Sequence, residues 1–219
     1  MGLDSKHIAQ CLDEVERELF RIADHADCQR FHKESQLSAL LLLLLRASSL
    51  VRSMLLSLLF KDLLDGFHLI ARGFEETWNL AHDLRLRAHA GRAARWLAGQ
   101  NDSWSARLGD IVSFAIGRGH REPTLQRDYG LLSELAHPTR SAAQNSVTLC
   151  GVRMGIDGAE AEITGELENC ENRVTAVLYR LLSLFLDEDP SFIAIPAERN
   201  NIPLCIQFVT EYKHVDPAT

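Results

Sequence analysis

Apolar residues recur along the first stretch of the chain in steps of four and three: Ile8, Leu12, Val15, Leu19, Ile22 and Ala26. That spacing places them on one face of an α-helix. Asp13, Glu14, Glu16, Arg17 and Glu18 fall on its other sides and are expected to face water. There is no glycine or proline from residue 3 to residue 65. One unbroken helix of that length would be about 95 Å long, too long for a domain of this size, so the polar run 27–35 is the predicted break. A second helix over about 35–59 is apolar nearly all round, which predicts a central position in a bundle. Arg46 and Arg52 interrupt it, and its longest charge-free piece, 35–45, has eleven residues. A membrane span needs roughly 20, so the pattern predicts a buried core helix.

Asp62, with Asp65 one turn on, is a candidate N-cap for a third helix running to about residue 90. A fourth helical stretch follows over 91–98, then a loop over 99–103 and a short helix over 104–116. The breaker cluster 117–123 precedes another helix over 125–136, which His137-Pro138 ends because the residue before proline avoids the helical region. Two short, partly alternating runs, 146–154 and 159–164, flank Gly155-Ile156-Asp157-Gly158 and predict a β-hairpin. The helical period returns over 167–186 through Val174, Val177, Leu178, Leu181, Leu182 and Phe185. Beyond Asp187, the prolines at 190, 196 and 203 predict a surface-wrapping tail with one short helix over 204–213. No internal repeat and no linker divides the chain. The expected fold is mostly α: an antiparallel helical bundle with a small β-hairpin insertion near 146–164. It forms a single domain over 1–219, with a core to 187 and a tail over 188–219.

Composition agrees with helix: 35 leucines and 23 alanines stand against 15 aromatic residues. The net charge of −7 argues against a general nucleic-acid coat, whose affinity comes from neutralising phosphates. The first twenty residues carry charges and no apolar core, so no secretory signal is read there. Five cysteines, at 11, 28, 150, 170 and 205, are odd in number and lack a CxxC. Without an export signal they read as reduced thiols, which points to the cytoplasm and away from a membrane.

Candidate chemistry concentrates in the third helix. At 100° per residue, His68, Arg72, Glu75, Asn79 and His82 lie within about 80° of one another, a narrow polar stripe on an otherwise apolar helix. The stripe could line an internal cleft, with Arg72 as anion donor and Glu75 or Glu76 orienting it. Alternatively it is a solvated seam with an ordinary Arg72–Glu76 pair. Tyr129, Ser133 and His137 are each four residues apart, so three protic side chains share one helix face, and the helix dipole favours protonated His137 in the last turn. They could bind a phosphate or pass a proton, or hydrogen-bond across the bundle for structural reasons. No GxSxG elbow accompanies Ser133.

His25, Cys28 and His32, with His7 and Cys11, carry ligand-type side chains, but they come from one element off the apolar stripe, so no metal or other cofactor is expected. Arg85, Arg87, His89, Arg92 and Arg95 form the one concentrated basic patch, usually a solvated face. No P-loop, GxGxxG, HExxH or EF-hand pattern occurs.

The segments LIARGFEETWNLAHDL and YGLLSELAHPT resemble the Arg-x-x-Glu helix and the Tyr-x-x-x-Ser-x-x-x-His-Pro helix end of a group of uncharacterised bacterial helical proteins. That group is similar to the HEPN (higher eukaryotes and prokaryotes nucleotide-binding) superfamily. The resemblance covers about residues 50–138. It implies an antiparallel bundle, often dimeric, and many members of the wider superfamily are ribonucleases in toxin or anti-phage systems. The superfamily's nuclease signature, arginine, four to six residues, then histidine, is absent: Arg72 and His82 are ten apart, as are Arg127 and His137, and Arg85 and His89 are four apart. The resulting expectation is a HEPN-like binding protein of bacterial stress or defence. Its pocket of Arg72, Glu75, Glu76, Asn79, Tyr129, Ser133 and His137 would take a phosphate-bearing ligand or RNA, in a homo-oligomer. The alternatives are a metal-independent ribonuclease, with His137 as acid or base and Arg72 stabilising the phosphate, and a non-catalytic interaction scaffold.

Overall fold

Two helices stand on either side of the predicted break at 27–35: α1 (Ser5–Asp24) and α2 (Ser35–Leu59). They are followed by α3 (Leu64–Arg87), α4 (Ala90–Leu97), α5 (Ala159–Leu186) and α6 (Pro203–Val215), with a 3-10 turn at Arg199–Asn201 ahead of α6. The structure, a computed structural model, describes residues 5–24, 35–60, 64–87, 90–100, 143, 147, 154–155, 159–186 and 198–215. The expected helices over 104–116 and 125–136 lie outside those residues. The fold is mostly α.

The β-hairpin requires a correction. Residues 159–164, expected as its second strand, are the opening turns of α5, and Val147, within the expected first strand, is helical. Ala-Glu-Ala-Glu alternates like a strand, but alanine and glutamate are strong helix formers, and glutamates near a helix N-terminus are favoured by its dipole. Gly155 does adopt a left-handed φ of 67°.

α2 packs against α1, α3, α4 and α5, which accounts for its apolar circumference. Leu40, Leu43, Leu44, Ala47, Val51 and Met54 are buried along it, and one apolar cluster draws on all six of the described helices. The Gln36–Leu59 stretch is long and apolar enough to cross a membrane, yet more than half of it is buried inside the protein, as in a core helix. α2 and α3 run antiparallel. Gln36 Nε2 donates to the Leu84 carbonyl at 2.5 Å and Arg46 Nε to Thr77 Oγ1 at 3.2 Å. A Cβ on Gly73 would lie 3.7 Å from Leu50.

α4 ends in a Schellman turn: Gln100 N–H donates to the Arg95 carbonyl and Gly99 N–H to that of Trp96, both at 3.0 Å. Gly99 sits at φ 69°, where a side chain is strained. Gly99→Ala is expected to lose about 1 kcal/mol in chemical denaturation; an unchanged midpoint would refute the strain.

α1 also departs from expectation. Asp13 and Arg17 are exposed, but Glu14 and Glu18 are buried. Glu14 Oε2 accepts the Leu204 and Cys205 N–H groups at 3.0 and 3.1 Å, capping α6 from across the molecule. Glu18 accepts the Glu198 N–H at 2.8 Å, Asn201 Nδ2 at 2.9 Å and both Nε and Nη2 of Arg21. Glu16 bonds Ser48 Oγ at 2.8 Å and shares Arg52 with Asp13, tying α1 to α2. The last segment does more than wrap the surface, because Ile202, Cys205 and Phe208 enter the core.

Burial pushes the Glu18 carboxyl up, but hydrogen bonds from Arg21, the Glu198 N–H and Asn201 outweigh it and hold the group below its ordinary 4.5. Its stabilisation is therefore present above that ordinary value and lost as pH falls through the lowered one. Acid titration of stability should show this loss in the native protein and not in Glu18→Gln; identical acid profiles would refute the assignment.

Candidate functional site

The polar stripe of α3 is real, and it changes character along the helix. Arg72 is half-buried with Glu76 beside it: Arg72 Nε meets Glu76 Oε1 at 3.2 Å, one helical turn on, and Glu76 is exposed. Further along, Asn79 and Asp83 are 2% and 1% exposed. The row thus runs from solvent at Arg72 into the interior. His68 is half-buried, with its ring edge-on to Phe67. The His82 side chain lies outside the described residues, as do those of Arg85, Arg87, His89 and Arg92.

Glu75 does not orient Arg72. It is buried and bound to Arg180 of α5, whose Nη1 and Nη2 reach Glu75 Oε1 and Oε2 at 2.6 and 2.7 Å. This forked geometry is the strong form of an ion pair. The guanidinium also lies over aromatic faces, 4.3 Å from the Trp78 ring centre and 5.8 Å from that of Phe74. Trp78 Nε1 in turn donates to the Arg180 carbonyl at 3.4 Å. Glu75, Trp78 and Arg180 therefore lock α3 to α5 through a charge pair that burial would otherwise penalise.

Arg180 escaped the sequence reading. Its signal was available: it is the one charged residue between Val174 and Leu186, in a stretch otherwise apolar enough for the core. A lone charge in such a run demands a buried partner, and the stripe of α3 contains one.

Asn79 is the unusual member of the row. Its Nδ2 is buried and has no hydrogen-bond partner among the described residues. Buried amide donors are normally satisfied, so an orphan one invites a ligand atom or a water. Asn79 lies two turns from Arg72, about 10 Å along the helix axis. Tyr129, Ser133 and His137, expected to complete the pocket, lie outside the described residues, as do His25, Cys28 and His32. Among the described residues no group of three His, Cys, Asp or Glu side chains could hold a metal.

Cys11, Cys170 and Cys205 are buried free thiols. Cys205 Sγ donates to the Cys11 carbonyl at 3.3 Å. The hydrogen bond to Cys11, then burial, push the Cys205 thiol far up, away from the reactive thiolate form.

The Arg72–Glu76 pair is surface chemistry. Arg72→Ala should change stability by less than about 1 kcal/mol, read from the thermal midpoint; a larger loss would mean that Arg72 carries structure beyond its pair. No family model matches this chain, no curated protein matches it, and no solved structure matches its fold.

Proposed function

We propose that this chain is a HEPN-like helical binding protein of the bacterial cytoplasm, folded as an antiparallel bundle, whose third helix lines a site for a phosphate-bearing ligand or an RNA end. The observation that carries the reading is the buried Asn79 Nδ2, which has no hydrogen-bond partner among the described residues and lies further along the same polar row as the half-buried Arg72. Arg72 is the anion clamp at the mouth, with Glu76 as its orienter. Asn79 is the inner hydrogen-bond donor. Tyr129, Ser133 and His137, on the helix expected over 125–136 and its His137-Pro138 end, are proposed to close the site. Glu75 serves the site indirectly, by fixing α3 against Arg180.

The second reading is a non-catalytic interaction scaffold. It is favoured by the internal pairing of Arg72 with Glu76 and of Arg180 with Glu75, which satisfies these charges without a ligand.

Calorimetric titration with inorganic pyrophosphate and with a 5′-phosphorylated oligoribonucleotide separates the two. Saturable binding is expected, weakened about tenfold or more in Arg72→Ala, since a charge-assisted hydrogen bond contributes roughly 1.5–3 kcal/mol. Absence of heat with both probes, from a folded protein, favours the scaffold. Shortening of the RNA on a gel, abolished in His137→Ala, would instead indicate the ribonuclease.

A further inference from the structure

Two cysteines from opposite ends of the chain meet where α6 docks on α1. Glu14 accepts the Leu204 and Cys205 N–H groups, and Glu18 holds the Glu198 N–H and the Asn201 side-chain amide. These two acids, one turn apart, set the C-terminal segment antiparallel to α1 in a fixed register. Cys11 stands one turn before Glu14 on the same face. In that register the Cys205 sulfur comes to 3.3 Å from the Cys11 carbonyl oxygen. A helical carbonyl oxygen lies about 3 Å from the Cβ of its own residue, so Cys205 Sγ is within about 6 Å of Cys11 Cβ. Cys11 is also the group that raises the Cys205 thiol most. Both side chains are 0% exposed, so they share one enclosed space. A disulfide, whose Cβ atoms stand about 3.8 Å apart, is within reach of side-chain rotation and a small shift of α6.

We propose that Cys11 and Cys205 are a redox pair, which a low-molecular-weight disulfide oxidises to a bond that fastens α6 to α1. In the closed fold, burial and the Glu14 carboxylate keep the Cys205 thiol protonated. Local opening of the C-terminal segment removes both constraints, and the first turn of α6, where Cys205 sits, then favours the thiolate. The Cys205 thiolate, its proton given to solvent, attacks one sulfur of the oxidant and expels the other as a thiolate. When the segment closes again, Cys11 is deprotonated in turn and attacks the Cys205 sulfur of this mixed disulfide, and the second small thiolate leaves. The protein pair loses two protons and two electrons, and the oxidant gains them as two thiols.

The bond spans 194 positions, and closing so long a loop restricts the unfolded chain more than a short one would. It also keeps the C-terminal segment seated where the contacts of Glu14 and Glu18 alone would let it open. The pair therefore turns an oxidising environment into a covalent hold on this segment.

The inference stands apart from the ligand reading, because it is read as a mass and a midpoint without any probe of the polar row. The full chain, incubated with oxidised glutathione and then alkylated, should lose the mass of two hydrogens. A non-reducing peptide map should give one linked pair, containing Cys11 and Cys205. The thermal midpoint should rise by roughly 4–16 °C, and dithiothreitol should reverse both changes. Glu14→Gln, which removes the charge facing Cys205 and loosens α6, should speed the reaction severalfold. Cys11→Ser, with no second thiol to resolve the mixed disulfide, should stop at a glutathione adduct on Cys205. The proposal is overturned if no linked peptide forms, even in urea just below the unfolding transition where the segment opens freely. Linkage to Cys28, Cys150 or Cys170 instead, or a linked protein whose midpoint falls, overturns it equally.

Discussion

Arg180→Ala is expected to be the most damaging single substitution in the described structure, at about 3–5 kcal/mol. Glu75 is 1% exposed and both of its oxygens are bound by Arg180. Removing the guanidinium leaves a carboxylate in a dry helix interface and also strips the cover from Trp78. For a chain of this length the thermal midpoint should fall by roughly 6–20 °C. Arg180→Met combined with Glu75→Leu removes both charges and keeps the volume, so it should be far milder than either single change. Chemical denaturation of the four proteins gives the coupling. A loss under about 1 kcal/mol for Arg180→Ala would show that the pair is solvated rather than buried.

Glu14→Ala is expected to be the next largest, at about 1–3 kcal/mol, with a local signature as well. Its carboxylate is the acceptor for the first free N–H groups of α6, at Leu204 and Cys205. Hydrogen exchange at those two amides should accelerate more than exchange in α2. Glu14→Gln retains a carbonyl oxygen and should lose less. Uniform acceleration across all helices would mean that the contact serves global stability only.

These two predictions rest on residues that sequence reading treated very differently. The extent of α2 was legible because composition alone sets it: no glycine, no proline, and an apolar surface that only a central position can absorb. The stripe of α3 was legible for the same local reason. Glu14 and Glu18 were assigned to water because their partners lie at residues 198–205, and helical periodicity carries no information about contacts so distant in the chain. The opening turns of α5 misled because Ala-Glu-Ala-Glu satisfies a period of two while its propensities favour helix. The site was half legible. The row containing Arg72 and Asn79 could be drawn on a wheel, whereas the choice of Arg180 over Arg72 as the partner of Glu75 depends on which helix packs there.

The cap that Glu14 places on α6 has a consequence for biosynthesis. Donor and acceptor are separated by 190 positions, so this contact has very high sequence separation and a correspondingly slow closure. At translation rates of about 5–20 residues per second, α1 emerges from the ribosome roughly 10–40 seconds before the segment it must hold. Throughout that interval its two acidic side chains and the apolar row beside them have no native cover from the C-terminal end. Slowing the synthesis of this chain would therefore lengthen the exposed state rather than help it fold.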